Sequence, residues 1–366
     1  MSGIRLPRRR RSIHSGQAAA GWLFMAPAIV LLGLFLVIPI AMALWVSVSD
    51  WGGRGNPFTG AAHFVGGRNY AELLTGDGLA RRDFATSLRN NAYYVLLVVP
   101  LQTVVALGLA VLVNRKVLRG RGLARTAFYF PSVTSSVAIT VVFLFLFTAS
   151  GAVNRLLGYL SIEGPNWIND PRGVVHLALS AVGVDSPPAA LRSPVLGLDV
   201  WDWLSGPSVA MCVFIVLAVF TTSGTFMLLF LAALQNISAE VEESAQVDGA
   251  TAWQRLRHIT VPMLRPTLFT VITLGLIGTW QVFDQIYTGS QGAPGKTTLT
   301  PAYLSYEASF TSQEWGRGAA IAFLLFAIIV VMTLLQRMVL RERDTGGRRP
   351  RRLRPSATAP KGGEQA

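Results

Sequence analysis

Long apolar runs separated by shorter polar stretches set the architecture of this chain. Six runs are almost free of charge: 20–48, 93–113, 127–148, 209–234, 267–283 and 319–338. A helix needs about 20 mostly apolar residues to cross hydrocarbon. Lipid offers no hydrogen bonds to backbone, so such runs must be helices or strands of a closed barrel. None shows the period-two alternation of barrel strands. The pattern therefore predicts an all-α integral membrane protein with six transmembrane helices. The fifth run is the weakest, because Thr267, Thr270, Thr273 and Thr279 dilute it. The first follows Arg5 and Arg8 to Arg11. It is longer than the h-region of a signal peptide, which predicts an uncleaved first helix.

Composition agrees. Of 366 residues, 51% are hydrophobic and only 14% charged, against about 25% charged in soluble domains. A water-soluble enzyme is excluded. A lone cysteine, Cys212, excludes an internal disulfide framework and a multi-cysteine zinc site. The net charge of +13 invites a nucleic-acid reading, but its distribution argues otherwise. With the N-terminus placed inside, the inner segments hold 22 of the 32 basic residues, for a net +15 inside and −2 outside. That is the positive-inside pattern of a multi-pass membrane protein with both termini cytoplasmic. It adds attraction to anionic membrane lipid and needs no nucleic acid.

The expected organisation is a basic cytoplasmic tail over 1–19, a first helix over 20–48 and an extracytoplasmic loop over 49–83. A five-helix core then spans 84–338, and a basic, disordered tail covers 339–366. The core carries a long outer loop, 149–208, and a cytoplasmic loop, 235–266. Loops of that length usually have a function.

The cytoplasmic loop divides into two short helices. The first runs near 238–247, with Ser238 as its N-cap and Glu240, Glu242 and Glu243 in its early turns, where acids suit the helix dipole. Asp248-Gly249 breaks it. The second runs over about 250–259, ends before Pro262, and sets Trp253, Leu256 and Ile259 on one side. This hairpin resembles the EAA loop of bacterial ABC importer permeases. Glu243-Ser244-Ala245 stands for EAA, Asp248-Gly249-Ala250 for DGA, and Ile259-Thr260-Val261-Pro262 for the closing segment. Ser244 departs from the middle alanine, and Ser238 from a frequent proline. The likeness extends over about 84–338, through Asn90-Asn91, Arg119-Gly120-Arg121, Leu231 to Gln235, Phe283 to Tyr287, and Gly292-Ala293-Pro294. It is similar to the carbohydrate-uptake branch, that of the maltose-type and glycerol-phosphate-type permease subunits.

The resemblance implies a type I ABC importer permease fold and a non-catalytic transport subunit. The expected partners are a second homologous permease, a cytoplasmic ABC ATPase dimer and an extracytoplasmic solute-binding protein. ATP and Mg would be used by the ATPase, with no cofactor bound by this chain. Glu243, Ser244, Ala245, Asp248, Gly249, Ala250 and Pro262 would couple the chain to that ATPase. The alternative of a solvated amphipathic hairpin on the membrane surface stands beside this.

Other constellations are weaker. The 289–298 run looks like a P-loop, but Ser290 occupies the position of the first required glycine, and no strand precedes it. It reads as a flexible outer loop. At the end of the fifth helix, Trp280, Asp284 and Tyr287 share a face, with Gln281 beside them. Rings that stack on sugars and a carboxylate that accepts hydroxyls suit a substrate pathway. An aromatic interface belt is the competing reading. Thr222 and Ser223 would add hydroxyls to the same cavity, or pack helices together. Gly275, Gly278 and Thr279 read as close-packing positions, and Pro27, Pro39, Pro100 and Pro131 as kinks. The four histidines have no metal-ligand spacing, so no metal site is expected. An integral-membrane transferase acting on lipid or sugar is the rival function, with Asp199 and Asp202 the nearest thing to a carboxylate pair. A stand-alone channel or ion-driven transporter would need ionisable residues inside the helices, and the six runs hold almost none.

Overall fold

A computed structural model describes residues 13–114, 120–184 and 186–339. The arginines at 5–11, Arg119 and the tail beyond 339 lie outside the described residues. Four helices are long and apolar enough to cross a membrane unbroken: α1 (Ala20–Ser47), α2 (Leu79–Asn114), α5 (Val209–Gln235) and α11 (Trp315–Val339). Two bent pairs reach that length only together. One is α3 (Arg121–Val133) with α4 (Ser136–Leu146), bent by 98°. The other is α7 (Ala252–Met263) with α8 (Arg265–Trp280), bent by 72°. Between α5 and α7 lies α6 (Ala239–Val247), and after α8 come α9 (Asp284–Gly289) and α10 (Pro301–Tyr306).

α5 is the hub. It packs along α2, α3 and α8 and buries Met211, Phe214, Leu217, Met227 and Phe230. α1 is mostly open along its length, and its C-terminal end, with Val46 and Ser47 buried, packs on α11. A π turn at Gly33–Val37 interrupts it ahead of Pro39.

The third apolar run was expected to be one helix, and it is two. Thr134 takes an extended conformation and Ser135 stands at the N-cap of the new start, without a side-chain capping bond. Ser and Thr offer the backbone partners other than its own ladder, and here Ser132 uses one on α5. Its hydroxyl donates to the Thr221 carbonyl at 2.6 Å and accepts from the Thr225 amide at 3.1 Å. Gly224 makes this approach possible, because a Cβ there would strike the Phe128 carbonyl and the Ser132 hydroxyl. The second run also differs: α2 begins well before 93, so Asn90 and Asn91 sit inside the helix rather than ahead of it.

The segment 149–208, expected to be an outer loop, is folded. It contains helices Ala152–Tyr159, Val174–Ser180 and Val200–Trp203 and a two-stranded hairpin, Pro194–Val195 with Leu198–Asp199. Backbone bonds from Val209 and Ala210 to the Arg172 and Asp170 carbonyls tie it to the start of α5. Asp170 is buried and grips the Arg172 guanidinium at 2.7 Å. Hydrogen bonds from that side chain hold the Asp170 carboxyl below an ordinary aspartate's 3.8, against the opposing effect of burial.

Two outcomes are expected. Gly224→Val lowers stability in detergent by about 1–3 kcal/mol through overpacking. Gly108→Ala, next to open space, leaves it equal or slightly raised. Thermal unfolding of both variants checks this. Because the Asp170 pKa is depressed on folding, its contribution is complete above the unfolded value and fades as pH falls through the folded one. Protease nicking of the 150–207 segment should stay flat from neutral pH to about pH 5 and rise below about pH 4. Asp170→Asn should raise nicking at every pH and remove that acid dependence.

Candidate functional site

The cleft forms where a helix is broken. α8 stops at Trp280, three residues short of the expected end, and α9 starts afresh at Asp284. Side chains satisfy the freed carbonyls between them. Asn91 Nδ2 donates to the Trp280 carbonyl at 3.0 Å, and the Thr300 hydroxyl donates to that of Val282 at 3.2 Å. The break leaves a cavity of about 350 Å³ among α2, α4, α5, α8 and α9. Its polar lining comes from Tyr94, Gln102, Thr222, Gln281, Asp284 and Gln285. The Thr222 hydroxyl lies 2.6 Å from Gln102 Oε1 and 2.7 Å from the Ala218 carbonyl. Tyr94 donates to Gln285 Oε1 at 3.2 Å. Gln102 is fully buried, yet its Nε2 has no partner. That nitrogen lies against Gly275.

Of the six pathway residues expected from sequence, Gln281, Asp284 and Thr222 line this cavity. The other three do not. Trp280 is buried against Val95, Val99, Leu325 and Ile329, because the helix ends under it and its face is not continued by α9. Ser223 is buried and bonds the Val219 carbonyl on the far side of α5. Tyr287 stacks on Phe283 at 5.4 Å, outside the lining. Gly275 is a close-packing position, since a Cβ there would meet the Gln102 amide. Gly278 is not: it faces open space and lines the cavity with Thr279. Gln102 and Tyr94 went unrecognised, since one amide or hydroxyl in an apolar run barely moves its average. Gln102 is nonetheless among the few polar side chains within the second run, and that is its sequence signal.

The P-loop lookalike is pinned, not loose. Asn90 Nδ2 donates to the Lys296 and Leu299 carbonyls at 2.8 and 3.0 Å. Lys296 pairs with Asp83 at 2.7 Å, and Thr298 is fully buried. Among the described residues, no three His, Cys, Asp or Glu side chains stand close enough to hold a metal.

At the opposite end of the bundle, α6 and α7 form the hairpin. Gly249, at φ +78°, closes α6. Its amide bonds the Gln246 carbonyl and that of Ala250 bonds Ala245, the paired bonds of a Schellman cap. A left-handed residue is required there, so the glycine is a geometric necessity. Thr251 and Gln254 then form a capping box that starts α7. Ser238 has N-cap backbone geometry, but its side chain makes no capping bond. α7 does not end before Pro262. A π turn over Leu256–Thr260 carries the helix through the proline to Met263, where the missing amide falls in a first turn that needs none. Glu243, Ser244, Asp248 and Gly249 are exposed, Ala245 is buried, and Ala250 and Pro262 are half-buried. Two large apolar side chains, Val247 and Trp253, also face outward.

Known proteins share this arrangement. The family model for the binding-protein-dependent transport system inner membrane component matches residues 102–344. The lactose transport system permease protein LacF of Rhizobium radiobacter is 31% identical over 340 residues, covering 91% of this chain and 98% of LacF. The arabinooligosaccharides transport system permease protein AraP of Bacillus subtilis is 27% identical, covering 89% of this chain and 90% of AraP. A chain of a bacterial alginate ABC transporter, solved with an alginate pentasaccharide-bound periplasmic protein, superposes with a TM-score of 0.67. It is 18% identical and covers 91% of this chain and 98% of that one. None of these likenesses supports the transferase reading. With most of its length matched by the family model, the chain belongs to the binding-protein-dependent transport system inner membrane components.

Proposed function

We propose that the chain is one of two permease subunits in an ATP-driven sugar or oligosaccharide importer. Each bent helix pair counts as one crossing, which gives six. Both termini and the α6–α7 hairpin face the cytoplasm, in keeping with the excess of Lys and Arg on that side. A second, homologous permease completes the pathway. A separate ATPase dimer uses ATP and Mg, and an extracytoplasmic binding protein delivers the solute.

The observation that carries this reading is the hairpin. It is a capped, acidic, two-helix projection that leaves Val247 and Trp253 open to solvent at the end of an apolar bundle. Exposed apolar side chains ringed by charge mark a protein interface. In this reading the ATPase grips α6. Its displacement passes through α7, whose π turn and proline give a stiff but bent connection, to α8 and the cleft above it. The carbohydrate assignment rests on the sugars that the relatives carry by name and on the cleft itself. Asp284 offers a carboxylate to sugar hydroxyls, and Gln281 and Gln285 add amides to the same wall. The folded 149–208 segment, beside the start of α5, supplies a surface for the binding protein.

Expected outcomes follow for each end. Glu243→Arg and Gly249→Pro abolish uptake by the assembled importer while the protein stays at wild-type level in the membrane. The purified chain alone hydrolyses no ATP. Normal uptake by both variants would overturn the coupling role. In the cleft, Gln102→Leu and Asp284→Asn should each lower sugar uptake by about tenfold or more, the scale of one hydrogen bond to a charged or buried group. ATPase coupling to the hairpin, read by co-purification of the ATPase, should be unchanged.

A further inference from the structure

The chain just after α4 turns an apolar face outward at a depth that its other contacts fix. Near the end of α4, the Phe143 ring meets the Phe220 ring at 5.4 Å. Phe220 stands eleven residues into α5, so this contact lies about 16 Å along the helix from its start. Further on, the Arg172 and Asp170 carbonyls accept from the Val209 and Ala210 amides, at the very start of α5. The chain thus climbs between these two levels, and the helix Ala152–Tyr159 lies within the climb. Trp167 holds it there. The Trp167 ring stands edge-on to Phe147 at 5.7 Å, and its Nε1 donates to Asn154 Oδ1 at 2.6 Å. Asn154 Nδ2 also donates to the Ala149 and Pro165 carbonyls at 3.0 and 3.2 Å, so this side of the helix faces the protein. At about 100° per residue, Leu156, Tyr159 and Leu160 lie on the opposite side. They are 65%, 87% and 71% exposed, and Ile162 and Phe145 are also more than half exposed.

A helix with one tethered polar side and one open apolar side, at the edge of a spanning bundle, has the pattern of an interfacial helix. Such a helix sinks its apolar face about 5–10 Å into the boundary of headgroups and acyl chains. Depth decides among the occupants. α5 is apolar from its first residue, Val209, so the level between Val209 and Phe220 belongs to the bilayer and not to water. A soluble binding protein does not reach that level. A second permease closes over the cleft, and the cleft meets α4 at Ser136, the end away from this helix. Lipid remains. We propose that the helix Ala152–Tyr159 is a membrane anchor in the leaflet at this end of the bundle, the outer leaflet in the orientation given above. Leu156, Tyr159 and Leu160 lie among acyl chains, and the exposed Arg155 on the helix flank reaches headgroup phosphates. The anchor holds the rest of the 149–208 segment, with its 194–199 hairpin, at a fixed height over the membrane. This rests on the membrane-spanning reading of α4 and α5 and not on the solute carried.

The test uses the assembled complex in nanodiscs of phosphatidylcholine and phosphatidylglycerol. Spin labels are attached to Leu156→Cys, Leu160→Cys and Ser193→Cys, each in a Cys212→Ser background. Dissolved oxygen concentrates in hydrocarbon, and a nickel chelate stays in water. Labels at 156 and 160 should relax faster with oxygen than with nickel; the label at the exposed 193 should show the reverse order. Faster relaxation with nickel at 156 and 160 means that the face meets water. Slow relaxation with both agents means that protein covers it. Either result overturns the anchor, as does shielding of these two labels by added binding protein. The wild-type complex gives a second measurement without substitution. A phosphatidylcholine with a diazirine in its acyl chain should, on illumination, leave adducts on the 156–162 peptide as well as on α1, whose open apolar length is the reference. Adducts on α1 with none on 156–162 also overturn the anchor. Failure of the importer assignment would show as absent uptake and would leave both readouts unchanged.

Discussion

Backbone polar groups buried away from water must find partners inside the protein, and the whole arrangement turns on how this chain meets that requirement at its broken helices. A continuous helix satisfies itself. Each break frees carbonyls and amides, and neighbouring side chains meet several of them: Asn91 the carbonyl end of α8, Thr300 the turn after it, and Asn90 the loop beyond. Ser132, beside the α3–α4 corner, instead ties that corner to the backbone of α5. These polar residues lie in or beside apolar helices, and they let the bundle depart from straight rods. Without them the cleft would close into another packed interface.

The same residues join the ends of the molecule. α2 carries Asn90 and Asn91 near its start, Tyr94 and Gln102 along the cleft, and Ala106, Ala110 and Val113 in the core that packs on α5 and α8 below. One 36-residue helix thus holds the 289–299 loop, frames the cavity and meets the hairpin ends of its neighbours. α5 does the corresponding work on the other wall, with Thr222 facing Gln102 and Gly224, two residues on, admitting α3. A shift of α8 against this pair would change the cavity directly, since Gly275 lies against the Gln102 amide with no side chain between them.

Much of this was legible in the sequence. Long uncharged runs located every apolar rod, because hydropathy averaged over about 20 residues is insensitive to local detail. The hairpin was legible for the opposite reason: Asp248-Gly249 is a local signal whose geometry is fixed within a few residues, while the capping box of Thr251 and Gln254 beside it went unread. The same averaging hid the breaks. Thr134 and Ser135 interrupt a run that stays apolar overall, and the end of α8 at Trp280 depends on Asn91, nearly 190 positions earlier. Trp280, Asp284 and Tyr287 share a face only if the helix continues, and it does not. Pro262 misled in the other direction. A proline usually ends a helix, but a π turn ahead of it removed the conflict.

That last feature bears on how motion crosses the molecule. A hairpin joined to α8 by a loose linker would absorb a push from outside in the linker. Here the helix is continuous from Ala252 to Met263, and only Leu264, fully buried, separates it from α8. A buried single-residue joint with a fixed 72° bend acts as a corner brace. Movement of α6 and α7 parallel to the bundle end must tilt α8 or break the packing of Leu264 against the α2–α5 core. Tilting α8 moves Gly275, Gly278 and Thr279 past Gln102, which is the wall of the cleft. The device needs no ionisable group within the apolar helices: rigid elements, a buried joint and a cavity beside a broken helix end suffice.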